Sequence, residues 1–323
     1  MVNHNEKKTN YSPVLITVYD RFEHFSSCIE SLKLNYNAEH TPLYIAIDYP
    51  IDTDNISIYN KLLDYSNSIN GFKYVKVIAR EKNVGPYLNA KLMQDLVFEK
   101  YERFIRTEDD NIFSENFINY MNYMLDKYDN DDSIFSVNAF NYPIYDECIN
   151  EVYHIREFYP YGFASWKNKY LAVDRNLTKF FPYFLSPLHW YDFIKNCNFR
   201  VLYGLIASIL QNKTYTDYVF TFHLNLTNMS TVVPKMSFVR NQGQDGSGSN
   251  SGLTPLLLTQ EMYSLDYELD EVVDLLYAKK DHNLKRDSFY INNLPKISWY
   301  KVLLTPLLFL FVYLRQFFNP YKF

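Results

Sequence analysis

Residues 108–110 read Glu-Asp-Asp, closing the run Arg103-Phe104-Ile105-Arg106-Thr107 and leading into Asn111-Ile112-Phe113. Three adjacent carboxylates repel one another, so a fold gains nothing by placing them at the end of an apolar strand without a counter-charge. A hard divalent cation supplies one. Mg²⁺ or Mn²⁺ takes oxygen from one or two carboxylates and completes its shell with phosphate oxygens. The plainer alternative is a solvated acidic loop, or the first turn of the next helix, where acids suit the dipole. The triplet alone has weak specificity as a motif, so the elements around it have to decide.

Those elements alternate. Pro13-Val14-Leu15-Ile16-Thr17-Val18-Tyr19 is apolar and rich in β-branched residues, which predicts a buried strand bounded by Asp20-Arg21. Phe22, Phe25, Cys28, Ile29 and Leu32 recur at helical spacing. Pro42 to Asp48 is a second strand ending in an acid, 56–65 a helix, and Phe72 to Ala79 a third strand. Asn83-Val84-Gly85-Pro86 is a turn, with Pro86 suited to the first position of a helix running to about Glu99. The fourth strand, Phe104-Ile105-Arg106, delivers the acidic triplet. This order predicts an α/β fold with a mostly parallel sheet and helices on both faces. Ligands then bind at the carboxyl ends of the strands.

Further along, Phe117, Met121, Met124 and Leu125 mark a helix, and 133–138 a strand. Residues 142–160 are loop-rich and aromatic. Helical stretches are expected from Trp190 to Cys197 and from Val201 to Gln211, another opens at Thr216, and Thr231-Val232-Val233-Pro234 is a short strand. Residues 241–250 form a loop rich in glycine and serine, whose Gly243, Gly246 and Gly248 can expose backbone N–H groups to an anion. No internal repeat is visible.

Composition bounds the class. With 323 residues, 47% hydrophobic and 18% aromatic, the chain can bury a sizeable core. Eight glycines argue against a turn-rich all-β fold, and a net charge of −5 gives no case for a nucleic-acid partner. Cys28, Cys148 and Cys197 have neither disulfide nor metal spacing, which suits a reducing cytoplasm. Residues 1–12 are polar, lack a signal-peptide core and read as a loose tail.

The order of these pieces resembles nucleotide-sugar glycosyltransferases of the GT-A fold. The likeness is nearest to the bacterial family-two-like sugar transferases of surface-polysaccharide loci and more distant to N-acetylglucosaminyltransferase I. It spans residues 13–250. Tyr19-Asp20-Arg21, Asp48, Asn83-Val84-Gly85, Glu108-Asp109-Asp110 and Gly162-Phe163-Ala164-Ser165-Trp166-Lys167 carry it, followed by Pro234 through Asn250. Each piece is weak alone and strong in this joint order. The resemblance implies a Mn²⁺ or Mg²⁺ ion bridging the donor's two phosphates, with Asp110 as its ligand. It implies that Asp109 faces the ribose or the metal's waters, and that Glu108 faces the donor sugar. Asp48 would accept the base's imide N–H, favouring a UDP-sugar, unless it is only a strand-end cap. Arg21 could hold the diphosphate with two donors, while Arg80 and Lys82 are poorer candidates. Asn83 and Gly246 complete the expected donor contacts, and Trp166 would stack on a sugar face unless it belongs to the core.

An inverting transfer also needs a base for the acceptor hydroxyl. Asp217 lies 17 residues before Pro234, within one residue of the family's spacing. It could instead be a helix-start cap, and Asp192 is a rival placed too early. Two departures stand out: Phe163 replaces the family's first Trp, and Asn250 replaces the closing His. The second leaves open a non-catalytic nucleotide-sugar or saccharide binder. A sugar-phosphate nucleotidyltransferase would need a glycine-rich, basic loop after the first strand, which is missing. A two-carboxylate glycosidase would have no need of the nucleotide features.

The expected architecture is a GT-A domain over residues 13–265, followed by a C-terminal helical segment over 266–323. From residue 279 onward, eight basic residues face two acids, a net of +6 that leaves −11 for the rest. The uncharged stretch Val302 to Leu314 has 13 residues, short of the roughly 20 that span a bilayer. Its basic flanks suit a segment lying on an anionic membrane surface, with a core-docked helix or a dimer contact as alternatives. The chain is thus expected to work at the cytoplasmic face of the membrane, on a saccharide acceptor that a lipid could carry.

Overall fold

The computed structural model describes residues 11–144, 152–175, 177, 179–211, 215–245, 255–263 and 299–318, with isolated residues between 274 and 292. The first half follows the expected alternation: β1 (Val14–Val18), α1 (Phe22–Lys33), β2 (Pro42–Ile47), α2 (Ile56–Ser68), β3 (Tyr74–Ala79), α3 (Pro86–Phe98) and β4 (Arg103–Glu108). Then come β5 (Asn111–Phe113), α4 (Phe117–Lys127), β6 (Ile134–Asn138), β7 (Val152–Ile155), β8 (Phe163–Trp166), α5 (Lys167–Leu171) and α6 (Phe180–Phe184). The rest comprises α7 (Pro187–Leu210), α8 (Thr216–Thr227), β9 (Ser230–Pro234), β10 (Val239–Asn241), α9 (Pro255–Leu258), β11 (Asp274–Leu275) and α10 (Trp299–Phe318).

Nine strands form one sheet in the order β11-β7-β9-β6-β8-β4-β1-β2-β3. The half β3-β2-β1-β4 is wholly parallel, as right-handed βαβ crossovers require. The other half is mixed, yet with five parallel pairings against three antiparallel among the described residues the whole sheet is mostly parallel, as expected. In the mixed half β8 runs antiparallel to both β4 and β6, and β7 antiparallel to β9, while β6 pairs with β9 and β11 with β7 in parallel.

Strand periodicity divides the core into two. Val14, Ile16 and Val18 of β1, with Ile105 of β4, face α1, α2 and α4 through Phe25, Ile29, Leu62, Met121 and Met124. Leu15 and Phe104 point the other way, into a cluster built from α3, α6, α7 and α8 through Met93, Phe180, Phe193 and Phe220. The two helical stretches expected between 190 and 211 are one helix, α7, with Ser186 before it and Pro187 in its first turn. Cys28 and Cys197 are buried and unpaired, and Cys148 lies outside the described residues.

The segment following residue 265 is described only in part. Within 270–277, where a helix was expected, residues 274–275 are strand β11. Helix α10 packs on α7, and its Phe309 and Val312 belong to the second core cluster. Among the described residues, no helix is long and apolar enough to cross a membrane.

Candidate active site

The parallel strands end together on one edge of the sheet. After β1 the chain turns at Arg21 into α1; after β2 it reaches Asp48; β4 ends on Glu108. Asp109 and Asp110 form the turn between β4 and β5, and β5 leaves the main sheet to pair antiparallel with β10. In that register Asn111 lies opposite Asn241, so the β10 strand delivers an amide side chain onto the acidic turn.

The resulting contacts are specific. Arg21 donates through Nη1 to Asp110 Oδ2 at 2.7 Å and through Nη2 to Asp109 Oδ1. Asn241 Nδ2 donates to Asp110 Oδ1 at 2.7 Å and to Asn111 Oδ1 at 2.9 Å. Asn111 in turn donates to Thr107 Oγ1 at 2.8 Å. The Gln242 N–H closes onto the Asp110 carbonyl at 2.7 Å, opening a 3₁₀ turn over Gln242–Gln244. At Gly243 a Cβ would stand 2.1 Å from Asp110 Oδ2, so only glycine lets this backbone lie against the carboxylate.

Arg21, with Arg106 also acting on Glu108, does not balance three buried carboxylates. Burial, then repulsion from Asp110 and Asp109, pushes the Glu108 carboxyl up to about 8. Burial also raises Asp109 to about 7 although Arg21 pulls it down. This is an oxygen-rich, electron-rich recess whose two perturbed acids would both be relieved by a second cation, so the donor set fits a hard divalent ion. Among the described residues no group of three or more His, Cys, Asp or Glu is arranged to hold a metal by protein ligands alone. Phosphate oxygens would have to complete its shell. Because Arg21 already occupies Asp110 Oδ2, it would have to swing off that oxygen as an ion arrived.

Asp217 stands in the first turn of α8. Burial raises its carboxyl to about 6, against the bonds it accepts from the Tyr218 and Asp217 N–H groups. It retains some surface, so water can reach the carboxylate. Burial, then the charges of Tyr142, Glu108, Asp217 and Asp110, raises the Tyr161 hydroxyl, so the acidic turn and Asp217 both lie within electrostatic reach of this residue, just before β8. Tyr215 holds the N-cap position without a side-chain bond, but by accepting from two N–H groups of the first turn the Asp217 carboxylate also stabilises the helix start. The two readings are compatible, because those N–H bonds hold the carboxylate in place.

Other expected residues are either already engaged or lie away from the acidic turn. Asp48 is buried, and both its oxygens are engaged: Oδ1 accepts from the Tyr49 and Val84 N–H groups, each at 3.0 Å, and Oδ2 from the Gly85 N–H at 2.8 Å and Asn83 Nδ2 at 3.4 Å. With four donors on one carboxylate, an imide N–H would have to displace one. The structure assigns Asp48 to ordering the turn before α3, where Gly85 has φ +79°, and Asn83 to the same network through Tyr49 O at 2.7 Å. Trp166 is a clear correction. It pairs with Arg103 at the start of β4, five residues of strand from Glu108, or roughly 17 Å. It is buried, its indole N–H donates to Asp129 Oδ1 at 2.8 Å, and Lys169 Nζ lies 3.9 Å from the ring centre. Arg80 is tied to Asn89 at 2.9 Å, and Asp192 is exposed on α7. Gly246 and Asn250 lie outside the described residues. The residue that sequence reading missed is Asn241, although it stands inside the stretch from Pro234 to Asn250 that carried the resemblance.

No family model and no curated protein sequence matches the chain. Among solved structures it is similar to S. aureus TarS 1-349, at 12% identity and TM-score 0.43 over 94% of this chain and 80% of that one. It is similar also to that protein in complex with UDP-GlcNAc, at 10% identity and TM-score 0.40 over 96% and 73%. A third is the mannosyltransferase PcManGT from Pyrobaculum calidifontis in complex with GDP-Man and Mn2+, at 11% identity and TM-score 0.36. That match spans 51% of this chain and about half, 48%, of the mannosyltransferase. At such overlap neither activity nor ligand transfers from them.

Proposed function

We propose that the chain is a metal-dependent, inverting glycosyltransferase that moves a sugar from a nucleotide diphosphate, a UDP-sugar in the first instance, onto a saccharide hydroxyl. Surface polysaccharide or glycolipid synthesis is the setting that the sequence resemblance implies. The observation that carries the reading is an under-neutralised acidic turn at the sheet edge with an arginine bridging two of its acids, beside a separate carboxylate of raised basicity, Asp217, that acts on the same Tyr161 hydroxyl.

In this reading Asp217 takes the proton from the acceptor hydroxyl, and the oxygen attacks the anomeric carbon opposite the diphosphate. The carbon–oxygen bond to phosphate breaks with its electron pair passing to the diphosphate, and the configuration inverts. A divalent cation held by Asp110 would neutralise that leaving group. Arg21, released from Asp110 Oδ2, is placed to follow the charge onto the diphosphate with two donors. Asn241 keeps the Asp110 carboxylate oriented throughout.

The alternative of binding without turnover draws on the fact that both Asp110 oxygens already have protein donors. Release of UDP from a panel of UDP-sugars, with Mn²⁺ or with chelator, separates the two. The transferase reading expects Mn²⁺-dependent release that Asp110→Ala abolishes. UDP binding with no turnover on any donor and acceptor pair would establish the binder instead.

A further inference from the structure

Helix α10 has two apolar faces, and the described residues cover one. Thr305, Phe309 and Val312 recur at helical spacing and are buried. Phe309 packs on Phe180, Phe181, Phe184 and Trp190, and Tyr313 on Phe181. Rotating by 100° per residue puts Leu304, Leu307, Leu310, Phe311 and Leu314 on roughly the opposite side, and all five are exposed, Leu307 at 62%. The Phe309 and Tyr313 contacts bring the α6–α7 junction alongside the C-terminal half of α10. Two more exposed leucines stand in that junction, Leu185 at 61% and Leu188 at 74%. An apolar strip of this extent is more than a monomer's surface ordinarily leaves uncovered.

The charge of the segment indicates what covers it. No acidic residue follows Asp287, whereas Lys296, Lys301, Arg315 and Lys322 do, on a chain whose body is strongly acidic. Exposed Arg315 follows the leucines along the helix, and Lys301 precedes them at the edge of the docked side, its Nζ 5.6 Å from the Tyr203 ring centre. A leucine-rich face with cations at its two ends and no anion matches an anionic bilayer, into whose headgroup layer an in-plane helix inserts its apolar side. Among the described residues no helix is long and apolar enough to cross a bilayer, and the buried Phe309 and Val312 tie α10 to the protein core. A second copy of this chain would bring the same cations against themselves. Arg286, one of the eight basic residues that follow residue 278, does not belong to this surface: it is buried 3.6 Å from Glu157.

We propose that the outer face of α10, extended by Leu185 and Leu188, is a lipid-docking surface that holds the protein flat against an anionic membrane. The inference does not depend on the proposed reaction.

The test is flotation of the full chain with vesicles of phosphatidylglycerol and phosphatidylcholine, and with phosphatidylcholine alone. Wild type should float with the anionic vesicles and far less with the neutral ones. L307E together with F311E should weaken binding at least about tenfold while leaving the melting curve unchanged, because neither side chain is in the core. K301Q together with R315Q is the second arm and should weaken only the anionic-vesicle binding. Deleting the helix would be a poor test, since it would also remove Phe309 and Val312 from the core. Wild type that stays unbound with both vesicles overturns the proposal, as does L307E/F311E protein that floats as wild type does. A lipid-free dimer that the same two substitutions make monomeric would also overturn it, assigning the face to a second copy.

Discussion

Replacing Asp217 by Asn should make the protein more stable and remove its activity, with a pH dependence that identifies the cause. The Asp217 carboxyl is raised from 3.8 to about 6 because burial penalises its charge. The folded state therefore holds this proton more tightly than the unfolded chain does. The group's stabilising effect is full below pH 3.8, is lost as pH rises through about 6, and leaves a constant penalty above that. The shift corresponds to about 3 kcal/mol at most, and to about 2 kcal/mol once the residual water contact of a half-buried group is allowed for. Asn keeps an acceptor for the Tyr218 N–H and carries no charge. The variant should thus melt about 4 °C higher than wild type at pH 8, with the difference fading toward pH 4. Transfer should fall by about 10² to 10⁴, the usual contribution of a general base. Thermal unfolding of both proteins from pH 4 to pH 8, beside UDP-release rates at pH 7.5, measures both arms. A variant destabilised equally at all pH values, or one that turns over normally, refutes the reasoning.

Three further outcomes follow from the same geometry. Arg21→Lys keeps the charge but cannot bridge Asp109 and Asp110. Losing one charge-assisted bond, about 1.5–3 kcal/mol, should raise the donor KM at least about tenfold in steady-state kinetics. Gly243→Ala puts a methyl 2.1 Å from Asp110 Oδ2; the displaced carboxylate should cost about a hundredfold in kcat/KM with an unchanged circular dichroism spectrum. Trp166→Phe should leave kinetics untouched and lower stability by about 1–2 kcal/mol in urea unfolding, since it deletes a buried hydrogen bond to Asp129 far from the site.

The parts legible in the sequence were those set by local pattern. The β1 to β4 alternation shows in apolar runs ending at Asp20, Asp48, Arg80 and Glu108, and Pro86 announces α3. The parts that were not legible depend on register between distant strands. Gly162 to Trp166 was recognised as a motif, but only the pairing of Arg106 with Phe163 and Arg103 with Trp166 reveals which end of β8 approaches the acidic edge. Tyr161 is at that end and Trp166 is not. Likewise, Asp48 looks like a strand-end acid available to a ligand until the turn some 36 residues later brings Val84 and Gly85 onto it. Asn241 was hidden in a stretch read for its glycines, because its role follows from standing opposite Asn111. Helix α7 was divided in two at Asn198-Phe199-Arg200, where polar residues interrupt the apolar pattern but no Pro or Gly breaks the backbone.

The central claim is that a divalent cation and a diphosphate meet at Asp110. An anomalous difference map at the manganese edge, from crystals grown with UDP and Mn²⁺, tests it most directly. The account predicts a peak at coordination distance from the Asp110 carboxylate and from a phosphate oxygen, with Arg21 turned off Oδ2 toward the diphosphate. Manganese bound elsewhere, with Arg21 still bridging Asp109 and Asp110 beside an ordered UDP, would contradict it.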